Sequence, residues 1–105
     1  MRLSQALPGL FKEIEFGLKE IGENELASSL IDLEIVGRCT CDDDSCGTFY
    51  TLQKSTWQGK PLKQVTPQVD GLFAIDVFQG QLVCVEIFNR IDVTNKINVL
   101  FPLNT

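Results

Sequence analysis

Leu7, Leu10, Phe11, Ile14, Leu18 and Ile21 recur at helical spacing, so one face of residues 8–21 is apolar. Lys12, Glu13, Glu15, Lys19 and Glu20 fall on the other side. Pro8 suits the first turn of a helix, and Gly22 suits the position just past its end. Asn24 is a good N-cap for a second, shorter helix whose inward stripe is Leu26, Ala27, Leu30 and Ile31. The short link between the two predicts a helical hairpin packed on the protein's own sheet.

The period then changes from helical to alternating. Leu33, Ile35, Gly37, Cys39 and Cys41 interleave with Glu34, Val36, Arg38 and Thr40, which reads as a strand over residues 33–41. Residues 42–45 form a turn, because Asp and Ser hydrogen-bond their own backbone. A second strand, rich in Thr, Phe and Tyr, follows over residues 46–52. Residues 53–68 read as a long loop with a short edge strand at 62–65, and Trp57 pins that loop to the core.

Two strong strands, residues 72–78 and 81–88, flank Gln79-Gly80, which fits a type I′ hairpin turn. With that turn, Ile75, Val77, Leu82 and Cys84 share one face, and Ala74, Val83, Val85 and Ile87 share the other. Both faces are apolar, so this hairpin is central and covered on both sides. The same register puts Asp76 and Glu86 on opposite faces, which argues against a carboxyl pair. Asp92 can cap a last helix with Ile97, Leu100 and Phe101 turned inward and Pro102 ending it. The expected fold is therefore α+β, one domain over residues 1–105. An N-terminal helical hairpin packs on an antiparallel sheet of about four strands, and a short C-terminal helix closes the chain.

Composition narrows the chemistry. The chain has 105 residues, 44% hydrophobic and 22% charged, enough for one self-sufficient core. A net charge of −5, with no Lys/Arg cluster, speaks against nucleic-acid binding and suits a basic partner. No stretch reaches the ~18 apolar residues of a membrane span, and the N-terminus has no signal-peptide core, so the expectation is a cytoplasmic protein with reduced thiols. Histidine is absent, which removes the commonest general base and imidazole metal ligands. No nucleotide-binding or hydrolase motif occurs, so no enzyme is expected.

Cys39-x-Cys41-x4-Cys46 is the sharpest chemical candidate. Thiolates are soft ligands for zinc, which takes four donors. Cys84, or a carboxylate from Asp42, Asp43 or Asp44, is the candidate for the fourth. The neighbouring aspartates would raise the thiol pKa values, and nothing in the sequence lowers one, which weighs against a thiol enzyme. The competing reading is that the cysteines are small buried hydrophobes. The aspartate run lacks the spacing of a calcium loop. Arg38 can bind an anion, but pairing with a local carboxylate is the simpler expectation, and Glu86 has Arg90, Arg38 or a helix N-terminus as candidate partners, among which the sequence does not decide.

The run Arg38-Cys39-Thr40-Cys41-Asp42-Asp43-Asp44-Ser45-Cys46-Gly47-Thr48-Phe49-Tyr50-Thr51 resembles a group of small bacterial proteins of uncharacterised function. They share an R-C-x-C-x-D-x-x-C-x-T-F-Y-T turn followed by a hairpin like residues 76–87. The resemblance implies a small cytoplasmic bacterial domain and carries no catalytic residue with it. Together these features predict a non-enzymatic binding or interaction module, with a protein partner or homodimer and, in one version, neutralisation of a basic protein. The alternative is a structural zinc domain built on Cys39, Cys41 and Cys46.

Overall fold

The hairpin of β4 (Leu72–Phe78) and β5 (Gln81–Ile87) forms the middle of the sheet in the computed structural model, which describes residues 1–103. Gln79 and Gly80 both take positive φ, 51° and 79°, as a type I′ turn requires. β3 (Lys63–Val65) pairs with β4 on one edge. β2 (Phe49–Tyr50) pairs with β5 on the other, and β1 (Gly37–Arg38) lies outside β2. The order is β1-β2-β5-β4-β3, antiparallel throughout, so the sheet has five strands rather than about four.

The first strand pair is much shorter than its alternating pattern predicts. Leu33 and Ile35 do not join the sheet. Their backbones bond the N-terminus instead, Leu3 N–H to Leu33 O at 2.9 Å and Ile35 N–H to Met1 O at 3.0 Å. Both side chains are buried there, so alternation reflects burial without a ladder. Only Gly37 and Arg38 remain to pair with Tyr50 and Phe49.

All the longer helices lie on one face of the sheet. α1 (Leu3–Ala6), α2 (Pro8–Glu20) and α3 (Asn24–Ser29) are followed by a 3-10 turn over Leu30–Asp32. α5 (Ile91–Leu100) ends the described fold. Leu10, Ile14, Leu18, Leu30, Val93 and Ile97 pack with Phe49, Ile75, Leu82, Val85 and Ile87 in one core. Two expected inward residues fall outside it, since Ile21 is 45% exposed and Ile31 50%. The helix caps also differ from expectation. Glu23, not Asn24, precedes α3, and Arg90, not Asp92, precedes α5.

The long loop is partly helical. α4 (Lys54–Trp57) folds back over the opposite sheet face, where Trp57 packs on Val83 and Cys84 and its indole N–H donates to Leu52 O at 3.0 Å. This is how the second face of the central hairpin is covered.

A slip in register decides what that face carries. Val77 pairs with Leu82 but Asp76 pairs with Cys84, so Val83 is an extra residue in β5. Phe73 is the extra residue in β4, 66% exposed, and it cancels the slip. Between the two bulges the β5 residues are turned over. Val85 and Ile87 join Ile75, Val77 and Leu82 in the helical core, while Cys84 faces Trp57. Asp76 and Glu86 therefore share a face, contrary to the two-residue-turn register. Gln64 Nε2 bridges them, donating at 2.9 Å to Asp76 Oδ1 and 3.4 Å to Glu86 Oε2. Glu86 meets neither Arg90 nor Arg38.

Partial burial, reinforced by hydrogen bonding to Asp76 and by its charge, pushes the Glu86 carboxyl up to about 7 from 4.5. A folded-state pKa above the unfolded value means that the native protein holds the extra proton between these limits. The contribution of Glu86 to stability should be full below pH 4.5 and be lost as pH rises to about 7. Urea denaturation across that window is expected to show the fall in wild type and its absence in Glu86→Gln. An identical slope in both proteins would refute the raised Glu86 pKa.

Candidate metal centre

The cysteine turn is anchored to the end of the central hairpin from both sides. Cys39 N–H donates to Thr48 O at 3.0 Å, continuing the β1–β2 pairing by one rung. Cys46 bridges to Phe88 beyond β5, Gly47 N–H donates to Ile87 O at 2.9 Å, and Asn89 N–H donates to Ser45 O at 2.9 Å. Gly47 sits at a close approach of three side chains. A Cβ there would lie 3.2 Å from both Thr94 Oγ1 and Val93 Cγ1 and 3.3 Å from Ile87 Cγ2. Between these anchors Cys46 N–H closes a turn on Asp43 O at 3.1 Å. The Asp43 carboxylate accepts from Ser45 N–H at 2.9 Å and from its hydroxyl at 2.6 Å. This is the Asx turn that the composition of residues 42–45 predicts.

The result is a cluster of three sulfurs. Those of Cys39, Cys41 and Cys46 all lie within 4.8 Å of one another. A tetrahedral zinc with bonds of about 2.3 Å holds its sulfurs roughly 3.8 Å apart, so small side-chain rotations would close the three around an ion. Burial is graded across the cluster, with Cys46 buried, Cys39 half-buried and Cys41 exposed. All four cysteines are free thiols. Cys84 is not in the cluster. It lies under Trp57 and beside Asp76, where burial first, then the Asp76 and Glu86 charges, push its thiol strongly up. The carboxylate of Asp43 is held by Ser45 and is kept below its ordinary pKa by that contact.

The electrostatics of Cys41 overturn the expectation that the aspartates raise every thiol pKa. The backbone N–H of Asp43 hydrogen-bonds the Cys41 sulfur and, with the Cys39 and Cys46 thiols, lowers its pKa. The Asp43 charge acts the other way but is the weakest of the influences, as expected for exposed groups in water. Cys39 moves up, chiefly because it is partly buried. The exposed thiol of Cys41 is thus eased towards its thiolate, while the Cys39 thiol beside it is held more firmly in its protonated form. Tyr50, which stacks edge-on against Trp57 at 5.7 Å, forms the adjoining wall, and burial pushes its hydroxyl up to about 12.

The two arginines are also placed differently from expectation. Arg90 clamps three segments. Its guanidinium grips Glu13 of α2 through Nη1 at 3.0 Å and Nη2 at 2.8 Å, reaches Asp70 O at 3.0 Å, and holds Asp92 at 2.9 Å. Asp92 and then Glu13 hold it firmly protonated. Arg38 pairs with no carboxylate among the described residues. It points to α5, donating from Nη1 to Asn98 Oδ1 and from Nε to Cys39 O at 2.9 Å. Asn98 and Gln64 are the polar partners that sequence reasoning missed. Asn98 offered one signal, a polar residue one position from the inward Ile97, whereas Gln64 offered none without the bulge.

Thiol chemistry separates these environments. In the native protein, alkylation by iodoacetamide should be fastest at Cys41 and slowest at Cys84, with mass mapping giving the order. Cys84 reacting as fast as Cys41 in folded protein would contradict the arrangement. No family model, curated protein or solved structure matches this chain.

Proposed function

We propose that this protein is a small thiolate metal-binding domain in which Cys39, Cys41 and Cys46 hold a soft ion, zinc among them. The observation that carries this reading is the convergence of the three sulfurs within 4.8 Å. The lowered pKa of the exposed Cys41 supports it, because a thiol must lose its proton to ligate. With three protein donors the fourth position is open to water or an external ligand. The reading needs a reducing compartment, so the domain is proposed to be cytoplasmic and, on the resemblance of its cysteine turn, bacterial.

A second reading, an interaction module for a basic protein or a second copy of the chain, is supported by the outer stripe of α5. Ile91 and Val99 lie two turns apart there, 77% and 73% exposed, on a chain of net charge −5. The readings are compatible, since neither uses the other's residues.

Protein purified without chelator should carry about one zinc per chain by elemental analysis and lose thermal stability on chelation. Loss of an outer-shell partner already costs ~10–100-fold in metal affinity, so Cys41→Ser should weaken zinc by at least that much. Cys84→Ser should leave zinc affinity unchanged. Metal-free protein whose melting point ignores both zinc and chelator would overturn the metal reading. For the second reading, light scattering should give a dimer mass that Ile91→Lys reduces to the monomer, and a monomer at every concentration would remove the homodimer.

A further inference from the structure

Arg38 carries a charge that no carboxylate among the described residues neutralises. The residue is only 9% exposed, yet its side-chain partners among the described residues are a backbone carbonyl and an amide. Burying a cation without a counter-ion is costly, and natural proteins pair nearly all such groups. The guanidinium lines a cavity of about 600 Å³ between the cysteine turn and α5. Nη2 donates to no described protein group, and no buried side-chain polar atom is left unsatisfied, so Nη2 opens on that cavity. Arg90 lines it as well, but its donors are taken by Glu13, Asp92 and Asp70 O. Arg38 is therefore the cation with donors to offer.

We propose that this cavity binds the carboxylate of a small zwitterion of the amino-acid class, with Arg38 as its anchor. The planar fork of a guanidinium matches a carboxylate through two parallel hydrogen bonds. The opposite end of the ligand follows from the rim. Asp43 and Asp44 line the same cavity and are exposed, whereas Arg38 is buried, so the cavity is cationic at its floor and acidic at its mouth. A multiply charged anion such as free phosphate meets those carboxylates on entry. A zwitterion, carboxylate inward and ammonium outward, finds the opposite charge at both ends.

The test uses the full chain, with L-alanine, L-glutamine and L-phenylalanine as probes and acetate, ethylamine and inorganic phosphate as controls. Nuclear magnetic resonance reads the Arg38 Nε–H and the Asn98 side-chain amide. At least one amino acid should shift both signals saturably, binding about tenfold or more tighter than acetate, with ethylamine silent. No response to any amino acid, or phosphate binding tighter than all of them, overturns the proposal. Arg38→Ala removes a buried side chain and risks unfolding, so the decisive variant is Asn98→Asp. It supplies Arg38 with a permanent counter-ion at the same position. It should raise the melting temperature and abolish the amino-acid response. A variant that binds the amino acid as wild type does, or that melts lower, contradicts the unpaired charge.

Discussion

One extra residue in β5 governs most of the molecule. Val83 has no partner opposite it, so every position from Cys84 to Ile87 is turned over relative to a regular two-residue hairpin. Without that slip Val85 and Ile87 would face α4, and Cys84 would enter the helical core. With it, one face of the sheet is uniformly apolar against α2 and α5. The other collects Cys84, Asp76 and Glu86 around Trp57 and Gln64. Phe73 cancels the slip near the far end of the hairpin and is left in solvent for it. The exposure of a large aromatic is the visible cost of aligning the two strands at both ends.

The restored register at Ile87 also fixes the cysteine turn. Gly47 bonds Ile87 and Asn89 bonds Ser45, with Cys46 opposite Phe88 between them, so the turn is pinned to the strand's exit. Asn89 adopts φ 59°, a left-handed conformation that asparagine tolerates better than most residues, and the chain then enters α5. The three sulfurs gather because two anchored segments, Cys39 on β1's extension and Cys46 beside Phe88, bracket a short Asx-stabilised loop. Their proximity thus follows from backbone hydrogen bonds and does not need an ion to create it. An ion would enter a site whose ordering entropy is already largely spent, which favours binding.

The α+β class, the antiparallel sheet, α2, the central hairpin with its primed turn and the edge strand at β3 were all legible from period and turn chemistry. These features are local, and the residues that specify them are neighbours in sequence. What failed was non-local. A bulge has no required residue type, so nothing around Val83 announces that Asp76 will face Glu86. Leu33 and Ile35 alternate as a strand does, but their hydrogen bonds go to Met1 and Leu3, a choice made by the packing of α1. For the site, spacing alone brought Cys39, Cys41 and Cys46 together correctly. It could not assign Cys84 to a face, because the bulge lies immediately before it. Nor could it supply the Asp43 backbone N–H that lowers the Cys41 pKa, because only the folded turn directs that group at the sulfur.

The sulfur cluster and the Arg38 cavity then meet in one short run of chain. Arg38 and Cys39 are consecutive, and the Arg38 Nε bonds the Cys39 carbonyl, so the peptide between them is common to the cavity and the sulfur cluster. On the other side of the turn, Asp43, Asp44 and Ser45 line the cavity, while the Asp43 amide faces the Cys41 sulfur. Alternation along the strand accounts for the division. Arg38 turns towards α5 with Phe49, and Cys39 turns away from the helices towards Tyr50. The run is held at both ends by backbone hydrogen bonds, Cys39 N–H to Thr48 O and Asn89 N–H to Ser45 O, and at its tip by the Asp43–Ser45 turn. The same few hydrogen bonds that gather the sulfurs therefore also set where Asp43 and Asp44 stand on the rim of the cavity.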